Sequence, residues 1–342
     1  MTKLSDTVKM SDSIFEFFDE AYEMGWTDGL PVLPPVPEQV AKYIEASGLA
    51  AEEVVAEVEP RKGLATVEKI AVNAVMAGCL PEYMPVLIAM VKAISVPGFN
   101  LGGIQTTTNP VSPLVIVNGE IRKKIQMNTG RNALGPGNRA NATLGRALRL
   151  ILLNIGGAVP GKIDKATLGM PGKYTFCLGE NEEESPWDPL SVELGYKHGE
   201  NIVTVVGAQG TNNVLPATTN VLTNLTVVAD GLKVMGNNNY LFGGGNPVIL
   251  LPPGHAQLMS KAGWTKSKVK EFLYENSKIN IEDIPRDLLE WRRKEIIVEN
   301  GKVPVCQNYE DILIVVVGGP EPYHITIVPN FGDTAVSSAT IG

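Results

Sequence analysis

Apolar residues recur at helical spacing over 13–22, where Ile14, Phe17, Phe18 and Ala21 share one face with acids between them. This spacing predicts a short amphipathic helix. Residues 25–35 read Gly-Trp-Thr-Asp-Gly-Leu-Pro-Val-Leu-Pro-Pro, and the prolines exclude helix and predict an extended strap. Pro37 suits the opening of a helix through about residue 46. Two helices in series are expected over 66–78 and 81–94, with Thr66 as N-cap and Gly78 and Pro81 at the join. A compact apolar strand follows over 113–117, then a basic helix over 120–127. The helix over 141–155 carries Leu144, Ala147, Leu148, Ile151 and Leu152 on one side.

Further strands are expected over 174–178, 202–206, 247–251, 312–317 and 324–328, with helices within 217–234, 254–262, 266–276 and 284–293. Short apolar strands alternating with helices indicate an α/β fold. One internal echo stands out. Asn109-Pro110-Val111 and Asn246-Pro247-Val248 each lead through a strand to a Gly that opens a helix. Two related α/β halves around mostly buried sheets would produce this, and chance matching of turn residues is the alternative. The expected organisation is an acidic N-terminal helical and extended cap (1–60), a first half with a basic Gly-rich loop (61–200) and a second half (201–342).

Composition narrows the picture. With 342 residues, 44% of them hydrophobic, the chain can bury a substantial core, which excludes disorder as its main state. Its 37 acids against 29 bases, net −8, argue against a nucleic-acid binder. Three cysteines (79, 177, 306) cannot make a disulfide framework, and the N-terminus lacks a signal-peptide profile, so a cytoplasmic location is expected. Only 19% of residues are charged, and the runs 93–119, 201–229 and 234–257 carry no charge. They are broken by Asn, Thr, Gly and Pro, so no membrane span is expected. They read as buried sheet with neutral loops, some of which could line a site.

The charges are segregated. Residues 1–60 hold 13 acids and three bases, while 101–160 hold seven bases and one acid. The basic stretch contains the Gly-rich loop 130–143, which runs into a helix start. There Arg131, Arg139, Asn141 and Thr143 are expected to hold a carboxylate or phosphate, unless the arginines pair with the acidic N-terminal region. The loop is not a nucleotide-binding P-loop. Phe176-Cys177-Leu178-Gly179-Glu180-Asn181-Glu182-Glu183-Glu184 places a cysteine and four carboxylates at a strand end. Crowded carboxylates raise one another's pKa, which suits Glu180 and Glu183 to acid or base work. Cys177 is either a nucleophile or a small buried hydrophobe, and Cys79 is likewise packed or exposed at a helix join. His255, at a strand-to-helix junction, and His324, at a strand start, are candidate assisting groups, whereas His198 reads as a surface turn. Thr107, Asn109 and the run Asn237-Asn238-Asn239 either read a polar substrate or satisfy turn backbone. No spacing specifies a metal site, and no cofactor is specified.

Several stretches resemble a known family. They are residues 25–35, Ala65-Thr66-Val67-Glu68-Lys69-Ile70-Ala71-Val72-Asn73-Ala74-Val75-Met76-Ala77-Gly78-Cys79, Phe176 to Trp187, Arg139-Ala140-Asn141-Ala142-Thr143 and Asn330-Phe331-Gly332-Asp333-Thr334. Over essentially the whole chain they look like the large domain found with, or fused to, the UGSC-type (seleno)protein domain of bacteria. The resemblance implies a redox role beside a thiol or selenol centre, but no Cys-Gly-Ser-Cys occurs here, so either a separate partner protein supplies that centre or this chain acts without one.

The expectation is therefore a cytoplasmic enzyme, or the catalytic or substrate-binding subunit of one, acting on a small anionic molecule by lyase or hydrolase chemistry. The alternatives are an oxidoreductase component working with a UGSC-type partner, and a non-catalytic binding or scaffold protein. No nucleic-acid or membrane partner is expected, and homo-oligomerisation is left open.

Overall fold

A computed structural model describes residues 5–291 and 296–342. Twelve strands are present among these residues: β1 (Val54–Val58), β2 (Gly63–Thr66), β3 (Ser112–Asn118), β4 (Cys177–Gly179), β5 (Ile202–Ala208), β6 (Asn212–Val214), β7 (Val248–Leu251), β8 (Ile279–Asn280), β9 (Lys302–Val303), β10 (Leu313–Val316), β11 (Ile325–Val328) and β12 (Ser337–Thr340). β1 and β2 form a hairpin, β8 and β9 another, and the rest build two four-stranded sheets ordered β4-β3-β5-β12 and β10-β7-β11-β6. The fold is α/β.

The two sheets have the same topology. In the first, β3 is parallel to β4 and antiparallel to β5, which is antiparallel to β12. In the second, β7 is parallel to β10 and antiparallel to β11, which is antiparallel to β6. Chain order makes the equivalence more specific, because the strand after β5 completes the second sheet while the strand after β11 completes the first. The halves thus exchange their fourth strands, and the exchanging segments pair at Ala208 and Asn330, with Gln209 N donating to Pro329 O (2.9 Å) and Phe331 N to Gly207 O (2.8 Å). The division expected at 200/201 falls between β4 and β5 of one sheet.

Period-two alternation sorts the strand residues into layers. Leu114, Ile116, Leu178 and Val206 of the first sheet face Val248, Leu250, Leu313 and Val315 of the second across one apolar layer. Their neighbours Val115, Val117, Val203 and Val205 face the helices Val67–Ala77, Met84–Ile94 and Arg139–Asn154. On the other side, Ile249, Leu251, Ile314 and Val316 face Val221–Leu232, Pro253–Lys261 and Lys266–Asn276. Apart from the short strands β6 and β12, both sheets are buried on both faces, which is why their other strands read as continuous apolar runs.

The helix Val67–Ala77 starts and stops as its sequence dictates: Thr66 Oγ1 accepts from Lys69 N, and Gly78 closes it in the left-handed region. The expected basic helix over 120–127 is only Ile121–Lys124, since Gln126 turns to positive φ. The strand expected from 174 begins at Cys177, after a 3-10 turn over Pro171–Lys173. The helix expected over 284–293 is Arg286–Trp291, and its last two expected residues lie outside the described ones, as does most of the N-terminal hexapeptide read for a signal. Among the described residues no single helix is long and apolar enough to cross a membrane.

Candidate site at the strand carboxyl ends

The parallel strands β3, β4, β7 and β10 all end on one side of the molecule. Glu180 N donates to Val117 O (3.1 Å), Val317 N to Leu251 O (3.0 Å), and Asn181 N ties β4 to β10 through Val316 O (2.7 Å). Open α/β sheets place ligands at such carboxyl ends. Glu180 and Glu183 follow β4 on that side, His255 follows β7, and Arg131 is on the adjoining Gly-rich loop.

Glu180 is completely buried. Its Oε2 accepts from Asn118 Nδ2 (2.7 Å) and from Leu190 N (2.8 Å), while Oε1 has no partner, nor has Asn118 Oδ1. Burial raises the Glu180 pKa, with Lys266 and the two hydrogen bonds pulling the other way. Lys266 is itself buried, donating to Asp188 O (2.9 Å) and Glu193 (3.1 Å). The arrangement is a carboxyl group inclined to keep its proton, fixed through one oxygen, with groups beside it that would accommodate the carboxylate once the proton leaves.

The rest of the carboxylate cluster is engaged. Arg122, 1% exposed, bonds Gly119 O (2.9 Å), Glu180 O, Glu182 (3.1 Å) and both oxygens of Glu183 (3.1 and 3.2 Å). Burial pushes the Glu183 carboxyl up, but hydrogen bonds from Arg122 and Lys123 outweigh it and hold the pKa near about 2. Glu183 is therefore ionised and already paired. Glu182 also accepts from Asn118 Nδ2 (2.9 Å) and Gly119 N (2.8 Å). Gly119 is required here: φ is +90°, and a Cβ would sit 2.5 Å from Glu200 O.

The residues named for an anion site on the Gly-rich loop each have partners within the protein. Arg139 caps the helix Val67–Ala77, donating to Gly78 O (2.9 Å) and Cys79 O (3.2 Å). Asn141 braces the loop through Asn128 and Ala133, Thr143 Oγ1 bonds Arg139 O, and Arg131 pairs with Glu321. The loop's own arginines thus take other partners than the acidic N-terminal region, which is forked instead by Arg146 of the following helix through Asp28 (2.9 and 3.0 Å). Arg149 faces Asp164 at 3.8 Å.

Of the other candidates, the Thr107–Asn109 turn lies apart, whereas His324, like His255, lies at the strand carboxyl ends, since β11 begins opposite the end of β7. Cys177 is buried in the helical core, as are Cys79 and Cys306 in their surroundings. Burial pushes all three thiols up, Cys79 to about 12, so none is a thiolate near neutrality. Thr107 and Asn109 precede β3, roughly 20 Å from its carboxyl end. They serve the fold: Thr107 Oγ1 accepts from Asn109 N, and Asn109 bonds Asn238 (2.8 Å) and Gln209 (2.6 Å). His324 is exposed at the start of β11, its Nδ1 3.2 Å from Asn213 Nδ2. His255 is fully buried with both ring nitrogens unpartnered, and burial lowers its pKa to about 4, against a smaller opposing effect of the Tyr323 backbone. Sequence reasoning missed Asn118 and Lys266. A polar residue ending an otherwise apolar strand marked the first, and nothing marked the second.

Among the described residues no three or more His, Cys, Asp or Glu side chains are grouped to hold a metal ion. Three clefts of about 690, 620 and 390 Å³ lie elsewhere, and none is lined by Asn118, Glu180 or His255. Comparison of the chain with protein-family models, with curated proteins and with solved structures found no match.

Proposed function

We propose that the protein is an enzyme of lyase or hydrolase type, acting on a small polar molecule at the carboxyl ends of the parallel strands, with Glu180 as its general acid. One observation carries this reading: a fully buried carboxyl whose Oε1 has no partner while the rest of the group is held in place. Buried polar atoms are nearly always paired, and exceptions concentrate where chemistry is done. A carboxyl group that burial inclines to keep its proton can protonate a leaving group or a developing anion, and Asn118, Leu190 N–H and Lys266 would then support the carboxylate. Because Arg131 and Arg139 are already engaged, recognition is assigned to neutral polar groups rather than to an arginine fork.

The experiment is an infrared pH titration of wild-type protein and Glu180→Gln, paired with a thermal-shift screen of small hydroxy acids, keto acids and amides. A protonated-carboxyl band present at neutral pH and missing from the variant is expected, along with ligands that stabilise the wild type more. A wild type without that band would end the acid role. The mutual neutralisation of Arg122 with Glu182 and Glu183 favours a second reading, a non-catalytic binding protein. Ligands that stabilise both proteins equally, with no turnover, would select it. A thiol-based redox role would need a thiol or selenol from a partner, because this chain's own thiols are buried and protonated.

A further inference from the structure

We propose that the loop from Gly318 to Tyr323 is a lid over His255, latched by the Arg131–Glu321 ion pair, and that His255 meets a ligand only when the lid lifts. Three observations converge. His255 has no exposed surface and no side-chain partner on either ring nitrogen, and the one polar group its ring feels is the Tyr323 backbone, on the covering segment itself. The covering segment is itself exposed from Pro320 to His324, so a buried polar ring lies beneath a solvent-facing loop. And the contact is close: a Cβ on Gly254, the residue before His255, would lie 2.1 Å from Pro320 O.

The loop is tied down by few interactions. Arg131 pairs with Glu321 where both side chains are largely exposed (69% and 45%), and Gly318 N donates to Thr129 O (2.9 Å). Gly318, at φ +102°, sits where the chain leaves β10, and Tyr323 N bonds only within the loop, to Glu321 O (3.0 Å). Local openings draw on such weakly tethered, solvent-facing segments. Charged groups on the elements packed around the ring include Glu321 on the lid, Arg131 on the Gly-rich loop, and Glu184, whose carbonyl accepts from Gln257 two residues after His255. Unlatched, the neutral imidazole would offer one donor and one acceptor nitrogen, suited to a small hydroxyl- or amide-bearing molecule. What the opened space admits rests on the strand-end reading; the lid itself does not depend on Glu180.

Two variants test it with readouts that need no substrate. Arg131→Ala removes the latch, and Gly254→Ala drives a methyl group into the Pro320 carbonyl. Each is compared with wild type for the rate of imidazole acylation by diethyl pyrocarbonate and for the NMR titration of the three histidines, with His255→Gln fixing the assignment. Loss of an exposed ion pair should speed His255 modification roughly two- to fivefold, the wedge should speed it more, and both should move its titration from about 4 toward 6.5. His198 and His324 should react at wild-type rates. If either variant keeps its fold and His255 reacts and titrates as in wild type, the lid is overturned. A missing Glu180 carboxyl band would leave this result untouched, so the two proposals fail separately.

Discussion

Glu180 and His255 titrate in opposite senses, and stability should record both. A carboxyl whose folded pKa is raised above its ordinary 4.5 gives stability that is complete below 4.5 and is lost as pH rises toward the folded value. Glu180→Gln lacks this loss. Its stability relative to wild type should climb with pH above 4.5, by no more than about 1.4 kcal/mol per pH unit, and stay level below it. His255, lowered to about 4 from 6.5, contributes stability present above 6.5 and lost as pH falls toward 4. That loss is at most about 3 kcal/mol, less to the extent that water reaches the ring, and His255→Gln should remove it. Urea melts of the three proteins between pH 4 and 8 check both slopes, and parallel curves would contradict both. The sequence placed Glu180 and His255 at strand ends because strand length and punctuation are local. It placed Arg131, Arg139, Asn141 and Thr143 in an anion site because an excess of charge is local too, whereas the partner that cancels it need not be. Arg122 with Glu182 and Glu183, and Arg146 with Asp28, join positions about 60 and 118 residues apart.

The Pro-rich strap is an element whose conformation follows from its residues and whose position follows from side chains elsewhere, Arg146 above all. Its prolines forbid helix, but nothing in an extended segment says where it lies. Arg146, on the helix Arg139–Asn154, sets this by forking Asp28 and donating to Leu30 O (3.2 Å) and Pro31 O (2.8 Å), while Asn154 Nδ2 holds Trp26 O (3.0 Å). Asp28 is 2% exposed in its side chain and Arg146 17%, so this is a mostly buried pair. A lysine supplies the charge but not the planar fork or the reach to two carbonyls. Arg146→Lys should therefore destabilise by about 1–3 kcal/mol and Arg146→Ala by about 3–5 kcal/mol, measured by urea unfolding. A lysine variant as stable as wild type would show that charge alone seats the strap. Helices with complete caps were legible in the sequence at this scale. β6, at three residues, and β12, reading Ser-Ser-Ala-Thr, were not, because their place comes from the strands they pair with.

Those two strands tie each half to the other's sheet. Each half supplies three strands of its own sheet and the fourth of the other, so a half by itself would lack an edge strand and would expose one side of the central apolar layer. The Asn-Pro echo marked the equivalence, since Asn109 and Asn246 precede β3 and β7. The exchange was invisible because a sequence repeat is the same whether its last strand folds back or crosses over. The crossing makes a definite prediction. Residues 217–220 are exposed, after β6 and before the helix Val221–Leu232, so a cut after Pro216 leaves every strand intact. The fragments 1–216 and 217–342 should each fail to fold cooperatively alone. Mixed, they should recover a single melting transition as a one-to-one complex, with β12 seated on β5 (Ser338 Oγ 3.0 Å from Thr204 Oγ1) and β6 on β11. The complex should melt at a temperature that rises with fragment concentration, because the cut replaces an intramolecular encounter, worth an effective concentration on the order of millimolar, with a bimolecular one. Light scattering and thermal melts decide it: a fragment that folds alone as a monomer with a cooperative transition would show that the halves are independent domains and that the exchanged strands are dispensable.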